Sequence, residues 1–225
     1  MKKRIAFVHN AMWEMYNFRG ELLQELKAKG YEITVICPPD EKNAHYFTDL
    51  GIKLLTVPMS RKGTNIKEDV QLVKNLFKVY KKEKFDLVFH YTIKPNIYGT
   101  LAAKLAGIKS IAITTGLGYV FLHNNVTSLI AKFMYKFSLA FANEVWFLND
   151  DDMNIFLDKD LITERQAFKL PSEGINTKRF VPKEKNRKDS KTVFLMIARV
   201  LYDKGFNEYL EAAKLIKAQR NDVEF

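Results

Sequence analysis

Short apolar runs alternate with helix-length amphipathic segments along most of this chain. An uninterrupted apolar run suits a strand buried on both faces, and such strands belong to parallel sheets wrapped by helices. The runs predict strands at Arg4–His9, Glu32–Cys37, Lys53–Val57, Asp86–Tyr91, Ser110–Thr114, Glu144–Leu148 and Gln166–Leu170. The segments between them predict helices at Gly20–Lys29, Asn43–Leu50, Lys67–Lys84, Pro95–Ala106 and Val126–Ala142, with a short helix from Asp151. Gly30 ends the first helix, and Pro95 sits in a first turn, where its missing N–H costs nothing. The expected fold is an α/β, doubly wound, Rossmann-like domain with a parallel sheet. Its ligands gather at the carboxyl ends of the strands.

From Val181 the texture changes. Pro182–Lys191 is polar and lacks apolar periodicity, as linkers do. The rhythm then restarts with a strand at Thr192–Ile197, a helix at Phe206–Gln219 and a strand start at Val223–Phe225. The expected organisation is an N-terminal domain over 1–181, a linker over 182–191 and the first β-α unit of a second domain over 192–225. A lone strand-helix-strand does not enclose a core, so the second domain is expected to be truncated or completed by another chain.

Hydrophobic residues make up 47% of the chain, enough for a real core and too many for disorder. The single cysteine, Cys37, excludes an internal disulfide and suits a reducing cytoplasm. The apolar stretch after Lys2, Lys3 and Arg4 is too short for a secretory signal, and no window is long enough to span a membrane. A soluble protein is expected. The net charge of +10 asks for an acidic partner: nucleic acid, an anionic membrane surface or a phosphorylated substrate. Helix-turn-helix, RNA-binding and zinc-finger patterns are absent, so nucleic acid is not the expected partner.

Three segments at strand ends are candidate ligand loops. The first, His9 to Gly20, lacks the G-x-G-x-x-G of a dinucleotide site and carries Trp13, Tyr16, Phe18 and Arg19. Aromatics with an arginine suit a sugar or diphosphate, although Trp13 and Phe18 also fit as caps on the core. The second, Tyr91 to Gly99, opens a helix. Lys94 adds positive charge where a helix N-terminus favours anions, and Thr92 also reads as an N-cap. The third, Thr114 to Phe121, holds Gly116 and Gly118, which let the backbone approach a ligand. In the restarted unit, Arg199 and Lys204 flank a turn and suit a diphosphate whose charge grows during transfer.

Asn149–Asp152 reads more readily as a helix start than as a metal site, and His9, His45, His90 and His123 show no ligand spacing. No metal and no cofactor is expected. Val126–Ala142 is open to two readings, a helix in a membrane interface or one packed on the sheet. The basic helix before it adds Lys74, Lys78, Lys81, Lys82 and Lys84 to a surface that suits anionic lipid.

Tyr16-Asn-Phe-Arg-Gly20, Thr92 to Gly99, Thr115-Gly-Leu-Gly118 and Ala198 to Gly205 together resemble family 4 glycosyltransferases, above all bacterial enzymes of capsule, O-antigen and lipid-linked glycan assembly. Gly174 to Phe180 resembles their entrance to the interdomain linker. The resemblance implies a two-domain GT-B fold whose N-terminal domain receives an undecaprenyl-diphosphate-linked sugar and whose C-terminal domain grips a nucleotide sugar, UDP-linked by expectation. It implies a retaining, metal-independent hexosyltransferase, peripheral on the inner face of the cytoplasmic membrane. On this resemblance Arg199 and Lys204 bind the donor diphosphate, and Tyr16, Phe18, Arg19, Thr92, Lys94, Asn96, Thr115, Gly116, Leu117 and Gly118 bind the acceptor. Many members carry a histidine where this chain has Thr115, and their later paired-glutamate motif is not in this sequence. This chain alone is therefore expected to be inactive. The alternatives are a non-catalytic acceptor-binding subunit that docks on membranes, and a sugar-nucleotide epimerase.

Overall fold

The computed structural model describes residues 2–61, 63, 65–117, 121, 126–171, 174–182 and 191–225. It forms two compact units, Met1–Gly174 and Ile175–Phe225.

The first unit is a parallel sheet of seven strands: β1 (Arg4–Val8), β2 (Glu32–Cys37), β3 (Lys53–Thr56), β4 (Leu87–Tyr91), β5 (Lys109–Thr114), β6 (Glu144–Phe147) and β7 (Ala167–Lys169). Their order is β3-β2-β1-β4-β5-β6-β7. The chain therefore winds outward from β1 in one direction, returns to β4 and winds outward in the other. Between β1 and β4 the connections leave to opposite sides, which opens a crevice above their carboxyl ends. The helices are α1 (Met12–Ala28), α2 (His45–Asp49), α3 (Ile66–Glu83), a π-helical turn (Pro95–Gly99) running into α4 (Thr100–Ala106), α5 (Val126–Leu139) and α6 (Asp150–Asp158).

Strand alternation divides the core in two. Ile5 and Phe7 pack with Met12, Met15, Leu23 and Phe47 beneath α1 and α2. Ala6 and Val8 pack with Leu72, Leu76 and Tyr80 of α3 and with Ala102 of α4. Burying a side chain such as Phe7 contributes about 1.5–3 kcal/mol. A third cluster joins Tyr135 and Leu139 of α5 to Phe147 and Phe156.

The first β-α connection differs from the expected long loop. Helix α1 begins at Met12, not at Gly20, because Met12, Met15, Arg19 and Leu23 form one buried stripe at helical spacing. Gly20 sits inside that stripe and packs on Tyr16, where a methyl group would meet its ring at 3.4 Å. A glycine read as a helix boundary is here a point of close packing.

Glycine is needed most at Gly99. A Cβ there would lie 2.5 Å from His90 Cδ2. The His90 ring is wholly enclosed, with Nε2 2.9 Å from the Tyr80 hydroxyl, and burial holds its pKa down at about 3. The π turn thus lies directly against a neutral core histidine.

Helix α5 faces two ways. Tyr135 and Leu139 are buried, while Leu129, Ile130, Phe133 and Phe137 are exposed, Phe133 to 68%. Among the described residues no helix is long and apolar enough to cross a membrane.

In the second unit, β8 (Thr192–Val193) pairs in parallel with β9 (Val223–Glu224), and α7 (Phe206–Lys217) connects them. Phe194 stacks on Phe225 at 5.0 Å, and the Tyr209 hydroxyl donates to the Phe194 carbonyl at 2.9 Å. Strand β8 stops at Val193, short of the expected Ile197, because its β9 partner pairs with only two residues. Of the linker expected over 182–191, residues 183–190 lie outside the described residues.

Candidate functional site

A cavity of about 210 Å³ lies at the carboxyl edge of the first unit's sheet, lined by His9, Glu14, Phe18, Arg19, Thr92, Thr115 and Leu148. His9, Thr92, Thr115 and Leu148 directly follow β1, β4, β5 and β6, and the other three lie on α1. Four strand ends therefore converge at the crevice where the strand order reverses. Of the residues singled out from sequence, Phe18, Arg19, Thr92 and Thr115 meet here.

Arg19 is buried, with its guanidinium 4.9 Å from the centre of the Tyr91 ring and Nη1 donating to the Phe18 carbonyl at 3.0 Å. A planar, weakly hydrated cation tolerates such burial better than an ammonium does. Its charge is felt at His9. There, burial first and then Arg19 and Arg61 push the imidazole pKa down to about 4, so the ring is neutral at pH 7. The Ala11 backbone N–H donates to His9 Nδ1 at 3.0 Å. His9 Nε2 stands 3.9 Å from Glu14 Oε2, and Glu14 is ion-paired with Arg61.

Thr92 holds a left-handed backbone with φ of +70°. For a β-branched residue this is a strained state costing on the order of 1–3 kcal/mol, and such states gather at ligand sites. The following helix helps to hold it, since the Asn96 N–H donates to the Thr92 carbonyl at 2.9 Å. The Thr92 Oγ1 is buried with no hydrogen-bond partner among the described residues, and so are Asn10 Oδ1 after β1, Thr114 Oγ1 at the end of β5 and Asn96 Oδ1 in the π turn. Orphaned polar atoms are rare inside proteins, so a group of them at one sheet edge points to a ligand or ordered water.

Other singled-out residues stand elsewhere. Lys94 is buried and donates to Asp69 Oδ1 at 2.7 Å and to Ser60 Oγ at 2.8 Å, while the Tyr98 hydroxyl donates to Asp69 Oδ2 at 2.8 Å. It lines a separate cavity of about 360 Å³ between α3 and the loop after β3. Asn96 Nδ2 donates to the Ile113 carbonyl at 3.0 Å, tying the π turn to β5. Tyr16 stacks on Tyr46 at 4.1 Å instead of lining the cavity. Gly116 has a positive φ with open space beside it, Leu117 packs on the α5–α6 cluster, and Gly118 lies outside the described residues.

In the second unit, Arg199 is exposed and Lys204 closes a 3₁₀ turn, Tyr202–Lys204. Gly205 then takes a left-handed φ of 72° and α7 begins. The basic turn thus precedes a helix N-terminus, a combination that favours anions.

Asn149 Oδ1 accepts the Asp152 N–H at 2.7 Å as the N-cap of α6, and Asp150 pairs with Lys169. Among the described residues no cluster of three His, Cys, Asp or Glu is placed to hold a metal ion.

His9, Glu14 and Leu148 were not singled out from sequence as site residues. For His9 the signal was present: it ends the first predicted strand, at the edge where parallel sheets bind ligands.

The family model described as glycosyl transferase 4-like matches residues 4–149. The chain is 32% identical over 239 aligned residues to the N,N'-diacetylbacillosaminyl-diphospho-undecaprenol alpha-1,3-N-acetylgalactosaminyltransferase of Campylobacter jejuni, covering 98% of this chain and 62% of that protein. It is 26% identical over 196 residues to the UDP-Gal:alpha-D-GlcNAc-diphosphoundecaprenol alpha-1,3-galactosyltransferase of Escherichia coli, covering 83% of this chain and 50% of that protein. The chain thus spans between half and two thirds of the length of these curated relatives. Among solved structures, a glycosyltransferase from Rickettsia africae superposes with a TM-score of 0.66 at 19% identity, covering 97% of this chain and 59% of that one. A UDP-N-acetylglucosamine 2-epimerase does so with a TM-score of 0.67 at 15% identity, covering 100% of this chain and 63% of that one. At these identities the two structures share the fold alone.

Proposed function

The chain belongs to the glycosyl transferase 4-like family, and on that premise we propose that its first unit is the acceptor side of a hexosyltransferase that moves a sugar from a nucleotide sugar, UDP-linked by preference, to a sugar carried on undecaprenyl diphosphate. The observation that carries this reading is the convergence of four strand ends on one cavity with a buried guanidinium and a neutral imidazole. Both curated relatives are named for transfer to a diphospho-undecaprenol-linked sugar with an alpha-1,3 linkage.

In the proposed reaction an acceptor hydroxyl oxygen bonds to the anomeric carbon of the donor sugar as the bond from that carbon to the diphosphate breaks. The hydroxyl proton leaves with the nucleoside diphosphate, and the configuration is retained. Arg19 balances negative charge at the acceptor. Arg199 and Lys204, beside the N-terminus of α7, balance the charge that grows on the departing diphosphate.

A lipid-linked acceptor brings the protein to a membrane. The exposed Leu129, Ile130, Phe133 and Phe137 of α5, with Lys132 and Lys136 between them, suit peripheral docking on an anionic surface at the inner face of the cytoplasmic membrane.

The test supplies UDP-sugars singly, with farnesyl-diphosphate-linked GlcNAc as acceptor, and measures acceptor binding and product formation. Arg19→Ala should weaken acceptor binding about tenfold or more, a charged hydrogen bond being worth about 1.5–3 kcal/mol. Failure of the wild type to bind any prenyl-diphosphate sugar would remove the proposal. Conversion of a UDP-sugar without acceptor would favour an epimerase.

A further inference from the structure

Resting on the reading of the β1–β4 cavity as an acceptor site, we propose that Arg61 is a second cation for the acceptor diphosphate and that Glu14 holds it until the ligand takes its place, so that the site selects a lipid diphosphate sugar over a lipid monophosphate sugar.

Glu14 stands in the first turn of α1 and lines the cavity. Arg61 reaches it from the connection between β3 and α3, with Nη2 donating to Glu14 Oε1. The other carboxylate oxygen, Oε2, lies 3.9 Å from His9 Nε2. One carboxylate thus joins the cavity wall to a guanidinium from a second loop. Arg61 and the buried Arg19 both push the His9 pKa down, so the two guanidinium groups act on one ring from different elements.

A diphosphate esterified at both ends carries one ionised oxygen on each phosphorus, whereas a monophosphate diester carries a single charge. Among the residues that line the cavity Arg19 is positive, Glu14 is negative and His9 is neutral at pH 7. Arg19 balances one ligand charge. The second is repelled by Glu14 unless Arg61 turns to it. The existing pair is weakly held, because the Glu14 and Arg61 side chains are 32% and 62% exposed and hydrated ion pairs contribute little. A phosphate oxygen offers the same planar fork a charged acceptor.

His9 receives the displaced carboxylate. The Ala11 N–H donates to Nδ1, which assigns the ring proton to Nε2, the nitrogen nearer Glu14. A small rotation of Glu14 brings Oε2 within hydrogen-bond distance of that N–H, so the exchange does not strand a charge. A monophosphate has no second anion to draw Arg61 away and meets the pair intact.

The experiment titrates the wild-type chain by calorimetry with farnesyl-diphosphate-linked GlcNAc and with farnesyl-phosphate-linked GlcNAc, then repeats both with Glu14→Gln, Arg61→Gln and the double variant. The wild type should prefer the diphosphate by about tenfold, the size of one charged hydrogen bond. Glu14→Gln should tighten diphosphate binding about threefold or more, and Arg61→Gln should bring the preference to about twofold or less. The double variant decides between exchange and masking. If Arg61 contacts the ligand, it should bind the diphosphate about tenfold more weakly than Glu14→Gln alone. If Arg61 only neutralises Glu14, the two variants bind alike, which overturns the proposal. Weaker diphosphate binding by Glu14→Gln than by the wild type overturns it too, as does equal wild-type binding of the two lipids, and both leave the acceptor site standing. Absence of binding by either lipid overturns the acceptor reading and this proposal together.

Discussion

Replacing Lys94 by methionine separates two roles for that residue, a cation for the ligand and a partner for Asp69. Lys94 and Asp69 side chains are each 9% exposed and meet at 2.7 Å. Methionine retains most of the apolar stem but leaves the Asp69 carboxylate buried without its cation, with the Tyr98 hydroxyl still donating to it. Removing one partner of a buried ion pair costs about 3–5 kcal/mol, because the surviving charge is uncompensated. For a unit of this size each kcal/mol moves Tm by about 2–4 °C, so a loss of roughly 10 °C is expected. The double variant Asp69→Leu with Lys94→Met removes both charges and should recover at least half of that loss. The assay is thermal unfolding for Tm and urea unfolding for the free energy, both followed by far-UV circular dichroism, with prenyl-diphosphate-sugar binding measured on the same samples. A cost below about 1 kcal/mol together with a tenfold or greater loss of binding would refute a structural role and make Lys94 a ligand contact.

Gly99→Ala should destabilise by about 1–3 kcal/mol, because the added methyl group meets the enclosed His90 ring; an unchanged unfolding midpoint would show that the π turn can shift freely. His9 and His90 are held near pKa 4 and 3, below the ordinary value of 6.5, so the unfolded chain binds more protons than the folded one over that interval. Stability is then full above pH 6.5 and falls by about 1.4 kcal/mol per pH unit for each histidine on acidification towards 4, and His9→Gln should remove about half of that slope in urea melts taken from pH 6.5 to 5. Phe133→Asp with Phe137→Asp should reduce co-sedimentation with anionic vesicles at least fivefold without altering the unfolding midpoint, since both side chains are exposed; undiminished binding would remove α5 as the docking face.

The sheet was legible because its signal is local. Runs such as Ile5–Val8 and Ile33–Cys37 are apolar on both faces, and a glycine or proline follows or precedes most segments. What was not legible depends on partners distant in sequence. Nothing beside Lys94 announces Asp69 on α3, twenty-five residues away, yet that carboxylate decides whether the ammonium faces a ligand or the interior. Gly20 looked like a boundary because a glycine weakens a helix, and only the packing of Tyr16 against it shows why it is tolerated. The φ of Thr92 is equally silent, since threonine in a β-α turn reads as an ordinary cap.

Helix α5 shows why periodicity alone left its two readings open. Its apolar residues surround the helix, so a burial pattern and an exposure pattern coexist in the same segment: Tyr135 and Leu139 enter the core while Leu129, Phe133 and Phe137 face outward. A helix serving only as core would have no use for the outward set, and large exposed apolar side chains at helical spacing carry an aggregation risk. The inward set cannot be exchanged for polar residues without opening the third cluster. The two sets are therefore separately testable, the outward one by membrane binding and the inward one by stability. The same separation governs the site, where Arg19 lies over the Tyr91 ring at the cavity and Lys94 is paired with Asp69 in the interior.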